Sequence, residues 1–305
     1  MAGSLLQDII LCESCLKHFA GRTGVTTDEV DVGLGRGHVV VTAPLGQHIE
    51  VDTSAESHCG ESVARGHVVD VLVDAGGFRQ FLDVVVDSDV AKESHFHIYL
   101  DVEEEKSVAA TKTYIAELFA LDMLAEALGG KINNDYEALA DRINDVLDLD
   151  KDIKEIAEGI VNENNFLILS RSSTLGSADE LCLKLTECCY LFAKSFSSAT
   201  FMHGPLSLLT AGTNLIMFAP NSKNTQEYID MATRAKEKGA NLIAFSDIPE
   251  VLSLASYKVK MPRTDMITAP VLYGVAASLL ALNIGEAKGY NVDSPRNLNK
   301  VTVTL

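Results

Sequence analysis

The sequence predicts an open, doubly wound α/β fold whose parallel sheet is covered on both faces, and two observations predict it. Short apolar runs recur through the second half of the chain: FLIL at 166–169, LIMFAP at 215–220 and LIAF at 242–245. Stretches with apolar residues at helical spacing separate them. A strand that is apolar throughout is buried on both faces, and helices are the usual connections between parallel strands.

Taken in order, the elements are clearest from about residue 87 onward. Residues 96–100 read as a short strand, and 107–128 as a long helix that stops at Gly129-Gly130. A second helix over 134–148 carries Leu139, Ile143, Val146 and Leu147 on one face, and 151–160 continues as a connecting helix. After the strand at 166–169 come the Ser/Thr-rich turn Ser170–Gly176 and a helix over 177–193. The strand at 215–220 leads into a helix over 225–238 that ends at Gly239. Strands at 242–245 and 257–261, a helix over 268–286 and an irregular tail from Gly289 complete the pattern. Two domains are expected, 1–149 and 150–305. Residues 1–86 read weakly: strands are expected at 38–42 and 82–86, with little helical periodicity between 22 and 80.

A chain of 305 residues with 47% hydrophobic and 22% charged residues has the composition of a soluble globular protein. No run approaches the roughly 18 uncharged apolar residues of a membrane span. Gln7 and Asp8 interrupt the apolar start of the chain, so no signal peptide is expected and the cytoplasm is the expected compartment. A net charge of −18 argues against nucleic acid, which requires a basic surface. It leaves a small phosphate open, because a local group of N–H and hydroxyl donors suffices for that. Cys12-x-x-Cys15 has no second pair at metal spacing, and Cys188 and Cys189 follow helix periodicity, so no metal and no cofactor is expected.

Four segments carry a more specific signal: EEKSVAATKTYIAEL (104–118), LCLKLTECCYLFAKSF (181–196), FMHGPLSLL (201–209) and SPRNLNKVTV (294–303). In this order the chain resembles the SIS (sugar isomerase) family, and within it the isomerase half of glucosamine-6-phosphate synthase. The resemblance implies two SIS domains in tandem, the first poorly matched over 1–86. It implies Glu187 as the base that moves a proton between C1 and C2 of an open-chain sugar phosphate. His203 is implied in ring opening, reaching in from the second chain of a homodimer, and Lys300 at the carbonyl end of the sugar. Ser57-His58-Cys59-Gly60-Glu61-Ser62 is similar to the family's phosphate loop, with Cys59 where a serine belongs. Ser57, Cys59, Ser62 and Val108 are then the expected substrate-binding residues.

The residues agree with this chemistry on physical grounds. A 1,2-isomerisation needs one carboxylate beside both carbons and donors for the developing enediolate oxygen. Lys184, one helical turn before Glu187, is expected to pair with it and keep it ionised. Lys300, if partly desolvated, is expected to act as a nucleophilic amine. The turn Ser170–Gly176 is expected to be structural, and the active site is expected at the carboxyl ends of the strands. The expected activity is isomerisation of a hexose 6-phosphate or deamination of an amino-sugar phosphate, without a glutaminase domain. A non-catalytic phosphosugar sensor or an inactive relative is the alternative.

Overall fold

The computed structural model describes residues 105–127 and 136–300, Val102, and the backbone of five short strands between residues 31 and 99. Strands β1 (Asp31–Gly35), β2 (His38–Thr42) and β3 (His48–Asp52) form an antiparallel meander. Strands β4 (Gln80–Asp83) and β5 (Phe96–Tyr99) pair in parallel. The meander departs from the all-parallel first domain expected from the sequence. Its cause is the connection length: only two residues separate β1 from β2, which suffices for a hairpin and not for a parallel crossover.

Three helices follow: α1 (Lys112–Ala127), α2 (Tyr136–Leu147) and α3 (Asp150–Gly159). The second half is one parallel sheet made of β6 (Asn165–Ser170), β7 (Phe192–Ser197), β8 (Asn214–Ala219), β9 (Asn241–Ser246) and β10 (Tyr257–Lys260). Its order is β10-β9-β8-β6-β7, so the first strand lies between the second and the third, a doubly wound arrangement. Between the strands run α4 (Leu175–Cys189), the short α5 (Ser198–Met202), α6 (Thr225–Glu237) and α7 (Pro249–Leu254), and α8 (Ala269–Ala287) follows the last strand.

Alternation along the strands divides the core in two. Phe166, Ile168, Ile216, Phe218, Ile243 and Phe245 face a layer containing α4 and α8. Their neighbours Leu169, Leu215, Met217, Leu242 and Ala244 face α6 and α7 on the other side. This is the period of two of a strand, read out on both faces because both are covered. Contrary to the expectation that no run approaches a membrane span, helix α8 is long and apolar enough to cross one by length and composition, but 89% of its most apolar 18-residue window is buried inside the protein. It packs against α1, α2, α3 and α4, so its apolarity serves the core.

Two boundaries differ from the sequence expectation, and both concern the site. Helix α1 begins at Lys112 rather than 107, because the Glu105 carboxylate caps it from outside. Its two oxygens accept from the Thr111 and Thr113 N–H groups at 3.1 and 3.0 Å and from the Thr111 hydroxyl at 2.9 Å. Those donors are among the ones a helix start leaves unpaired. Residues 105–111 therefore form a loop. Helix α4 stops at Cys189 rather than 193, because Tyr190 turns left-handed (φ 57°) and the chain enters β7 two residues later.

Candidate active site

Helix α4 presents Glu180, Lys184 and Glu187 at i, i+4 and i+7, and hence along one face. Glu180 and Lys184 are buried at 7% and 2% exposure, and Glu187, one turn on, is half-buried. Lys184 Nζ lies 2.6 Å from Glu180 Oε1, and it also donates to the Ala110 carbonyl in the 105–111 loop. Lys184 was expected to pair with Glu187 but its ion pair is with Glu180. Side chains on a helix lean toward its N-terminus, so the lysine reaches back over the preceding turn.

The loop is held from its other side by residues 293–300. The Val108 N–H donates to the Asp293 carbonyl at 3.1 Å, and Lys300 Nζ donates to the Ser107 carbonyl at 2.5 Å. Ser107 is fully buried, and its hydroxyl finds no hydrogen-bond partner among the described residues. Three parts of the chain thus converge: the 105–111 loop, the last two turns of α4, and the tail beyond α8. Lys300 and Val108, two of the residues singled out from the sequence, meet at this loop, and Glu187 lies one helical turn beyond Lys184, which also reaches the loop; Glu180, Lys184 and Ser107 are added.

The electrostatics suit proton transfer. Burial lifts the Glu187 carboxyl above the usual carboxylate range; the Lys184 charge pulls it part of the way back, and the Glu180 charge adds to the lift. A base raised in this way moves toward neutral pH, where a general base is most effective. The adjacent Cys188 thiol is pushed up to about 11, chiefly by burial, so it stays protonated and unreactive at neutral pH.

The active site was expected at the carboxyl ends of the strands, but Glu187 does not lie at those ends of the second-half sheet. Helix α4 joins two parallel strands and so runs back along the sheet, which carries Glu187 to the amino ends of the strands. His203 lies at the opposite end. It follows β7 and α5, its side chain is exposed, and it makes no hydrogen bond through its ring among the described residues. A six-residue strand is about 20 Å long, so the fold separates His203 from the Glu187 of its own chain.

Ser57, Cys59 and Ser62 lie outside the described residues, as do Cys12 and Cys15. The turn at 170–176 engages its polar groups within the fold: Ser170 and Thr174 hydroxyls meet at 2.7 Å, Ser172 Oγ accepts from Asn224 at 2.9 Å, and Arg171 pairs with Glu227 at 3.2 Å. Among the described residues no group of His, Cys, Asp and Glu is arranged to hold a metal ion.

Fold and site together define the class. A model of the SIS domain family matches residues 159–283, the span of the parallel sheet and its helices. The chain belongs to the SIS-domain family and is related there to the isomerase part of the glutamine–fructose-6-phosphate aminotransferases. It is 34% identical to the glutamine–fructose-6-phosphate aminotransferase (isomerizing) of Thermococcus kodakarensis over 231 residues, which is 72% of this chain and 38% of that protein. The chain thus matches well under half the length of this curated relative. Among solved structures, it is similar to the C-terminal domain of glucosamine-fructose-6-phosphate aminotransferase from Francisella tularensis, with a TM-score of 0.61, 22% identity and coverage of 71% of this chain and 65% of that one. Glucosamine-6-phosphate deaminase from Thermotoga maritima gives a TM-score of 0.56 at 21% identity, covering 74% of this chain and 66% of that one. At these identities the two structures show a shared fold.

Proposed function

We propose that the protein is a cytoplasmic isomerase or deaminase acting on a hexose 6-phosphate or its 2-amino form, through an enediol or enolamine. The observation that carries this reading is the convergence of two lysines on one loop, Lys184 on Ala110 and Lys300 on Ser107, with the half-buried Glu187 carboxylate one helical turn from Lys184. The relatedness to proteins named for fructose 6-phosphate and glucosamine 6-phosphate supports the substrate class.

In this reading Glu187 takes the proton from one carbon of the open-chain sugar and returns it to the next, so one base serves both steps. The Lys184 charge offsets part of the rise that burial gives Glu187, and Glu180 holds Lys184 in place. Lys300 leaves the Ser107 carbonyl and offers its amine to the sugar carbonyl, as a hydrogen-bond donor in ring opening or as the nucleophile of an imine. Ser57, Cys59, Ser62 and Val108 are the substrate-binding residues of this reading, the first three for the phosphate. His203 comes from the second chain of a homodimer. The distance between His203 and its own Glu187, and the exposed Met202 and Leu208 that flank it, support an interface there.

The test follows glucosamine 6-phosphate and fructose 6-phosphate turnover, with ammonia release and ketose–aldose conversion measured together. Glu187→Gln lowers turnover by about 10²–10⁴-fold, the usual worth of a general base, and leaves sugar-phosphate binding in place. Turnover that survives the change removes Glu187 from the mechanism. Binding without turnover in the unaltered protein supports a phosphosugar sensor instead.

A further inference from the structure

The residue that ends the helix bearing Glu187 is an unusual choice. Tyr190 sits in the left-handed region with φ 57° and ψ 38°, where glycine is normal and a bulky side chain is strained. A helix stop alone does not require a tyrosine, so its side chain is the place to look for a reason. The phenol oxygen accepts the backbone N–H of Arg296 at 2.8 Å. The Arg296 guanidinium lies over the Tyr190 ring, 3.9 Å from its centroid. The ring of Tyr290 packs tilted against the same ring, with centroids 4.9 Å apart. One side chain therefore meets the tail at its start and again six residues later.

The rest of the tail makes further contacts of its own. Val292 is buried against α8 at Gly285, where even a β-carbon would come within 2.3 Å of it. Pro295 is buried beside Arg296, and Asn297 turns left-handed with φ 63°, just before the stretch that ends at Lys300 Nζ on the Ser107 carbonyl.

We propose that Tyr190, Arg296 and Tyr290 form a clasp that fixes the tail to the end of α4 and thereby positions Lys300 against the 105–111 loop. Tyr190 is then a positioning residue that acts on the reaction through Lys300; because it caps the helix three residues beyond Glu187, base and amine are set relative to one another. The assignment rests on the proposed role of Lys300, while the clasp itself does not.

The test compares Tyr190→Gly, Tyr190→Phe and Arg296→Ala with the unaltered protein. Amide hydrogen exchange over residues 291–300 is read without ligand, alongside thermal unfolding, kcat and KM. In Tyr190→Gly the tail amides exchange about tenfold faster or more, while the unfolding midpoint changes little, because relief of the left-handed strain offsets the lost contacts. The kcat falls by about tenfold or more and KM changes less, as expected when a reacting group is misplaced. Tyr190→Phe keeps the ring and gives a smaller effect on both readouts. Arg296→Ala, a change at an exposed residue, repeats the exchange result should the glycine variant fail to fold. Unchanged tail exchange in these variants overturns the clasp, whatever the activity. Faster exchange with kcat unchanged overturns the positioning role. If the unaltered protein turns over neither sugar phosphate, the functional reading fails separately and exchange alone decides the clasp.

Discussion

Replacing Lys184 by methionine tests the electrostatic frame of the site. Methionine preserves the unbranched stem in its buried slot but removes the charge. Glu180, at 7% exposure, is then left as a buried carboxylate without its partner at 2.6 Å. Removing one member of a buried ion pair costs about 3–5 kcal/mol. The Ala110 carbonyl also loses its donor, but Ala110 is exposed and water can take the place of the ammonium, so this adds little. Urea unfolding at pH 7 should therefore show a loss of about 3–5 kcal/mol. The double variant Glu180→Gln with Lys184→Met removes the stranded charge and should recover most of that loss. A single variant that costs under about 1 kcal/mol, the range of an exposed pair, refutes the reasoning, as does a double variant no better than the single. The same change bears on catalysis. Lys184 is the group that pulls Glu187 down, so without it the acid limb of the pH–rate profile moves to higher pH.

Two further outcomes concern pH. The Asp122 carboxyl on α1 is pushed up to about 7, first by burial and then by the charge of Asp265, and one of its oxygens is buried without a hydrogen bond among the described residues. Its folded pKa lies above its ordinary value of 3.8, so its contribution to stability is full below about pH 4 and is lost as pH rises through 7. Asp122→Asn should therefore stabilise the protein at pH 8 by about 1–2 kcal/mol, a figure reduced for the solvent that reaches the group. The gain should vanish near pH 4 in denaturant titrations, and a gain independent of pH rules the explanation out. For Glu105 the sign is opposite. Burial raises it, but the Thr113 and Thr111 N–H groups and the Thr111 hydroxyl outweigh burial and hold it below its ordinary value. Its stability is present above about pH 4.5 and lost as pH falls through the lowered folded value. Glu105→Gln puts an NH₂ against these donors and should cost about 1–3 kcal/mol at pH 7, less in acid; equal losses at pH 7 and pH 3 would contradict the capping role.

The second-half fold was legible because its strands are apolar on both faces and its helices are bounded by glycines, as at Gly239. What escaped the sequence had no local signature. The edge strand β7 (FAKSFS) is half exposed and carries Lys194, and its start is marked by a tyrosine rather than a glycine, so it read as the end of a helix. The true start of α1 depends on a carboxylate six residues before the Thr111 it binds, which resembles no ordinary cap. Within the site, the Glu180–Lys184 spacing is the i, i+4 pattern of an ion pair and was readable. That Lys184 prefers it to Glu187 follows from side-chain direction, and the burial of both partners only from the packing of α4. The antiparallel run of β1–β3 follows from a two-residue connection, a length the sequence offers but whose meaning depends on where the strands end.

The contact between Lys300 and Ser107 joins positions 193 residues apart. During synthesis at about 5–20 residues per second, roughly 10–40 s separate the appearance of the two. For that interval the 105–111 loop exists without the tail that holds it, and Ser107 without the surroundings that bury it. The α4 helix can dock its lysine on Ala110 much earlier, so the nascent chain acquires the base before the amine. Until residues 293–300 dock, the nascent chain holds a nearly complete sheet with an unfinished site.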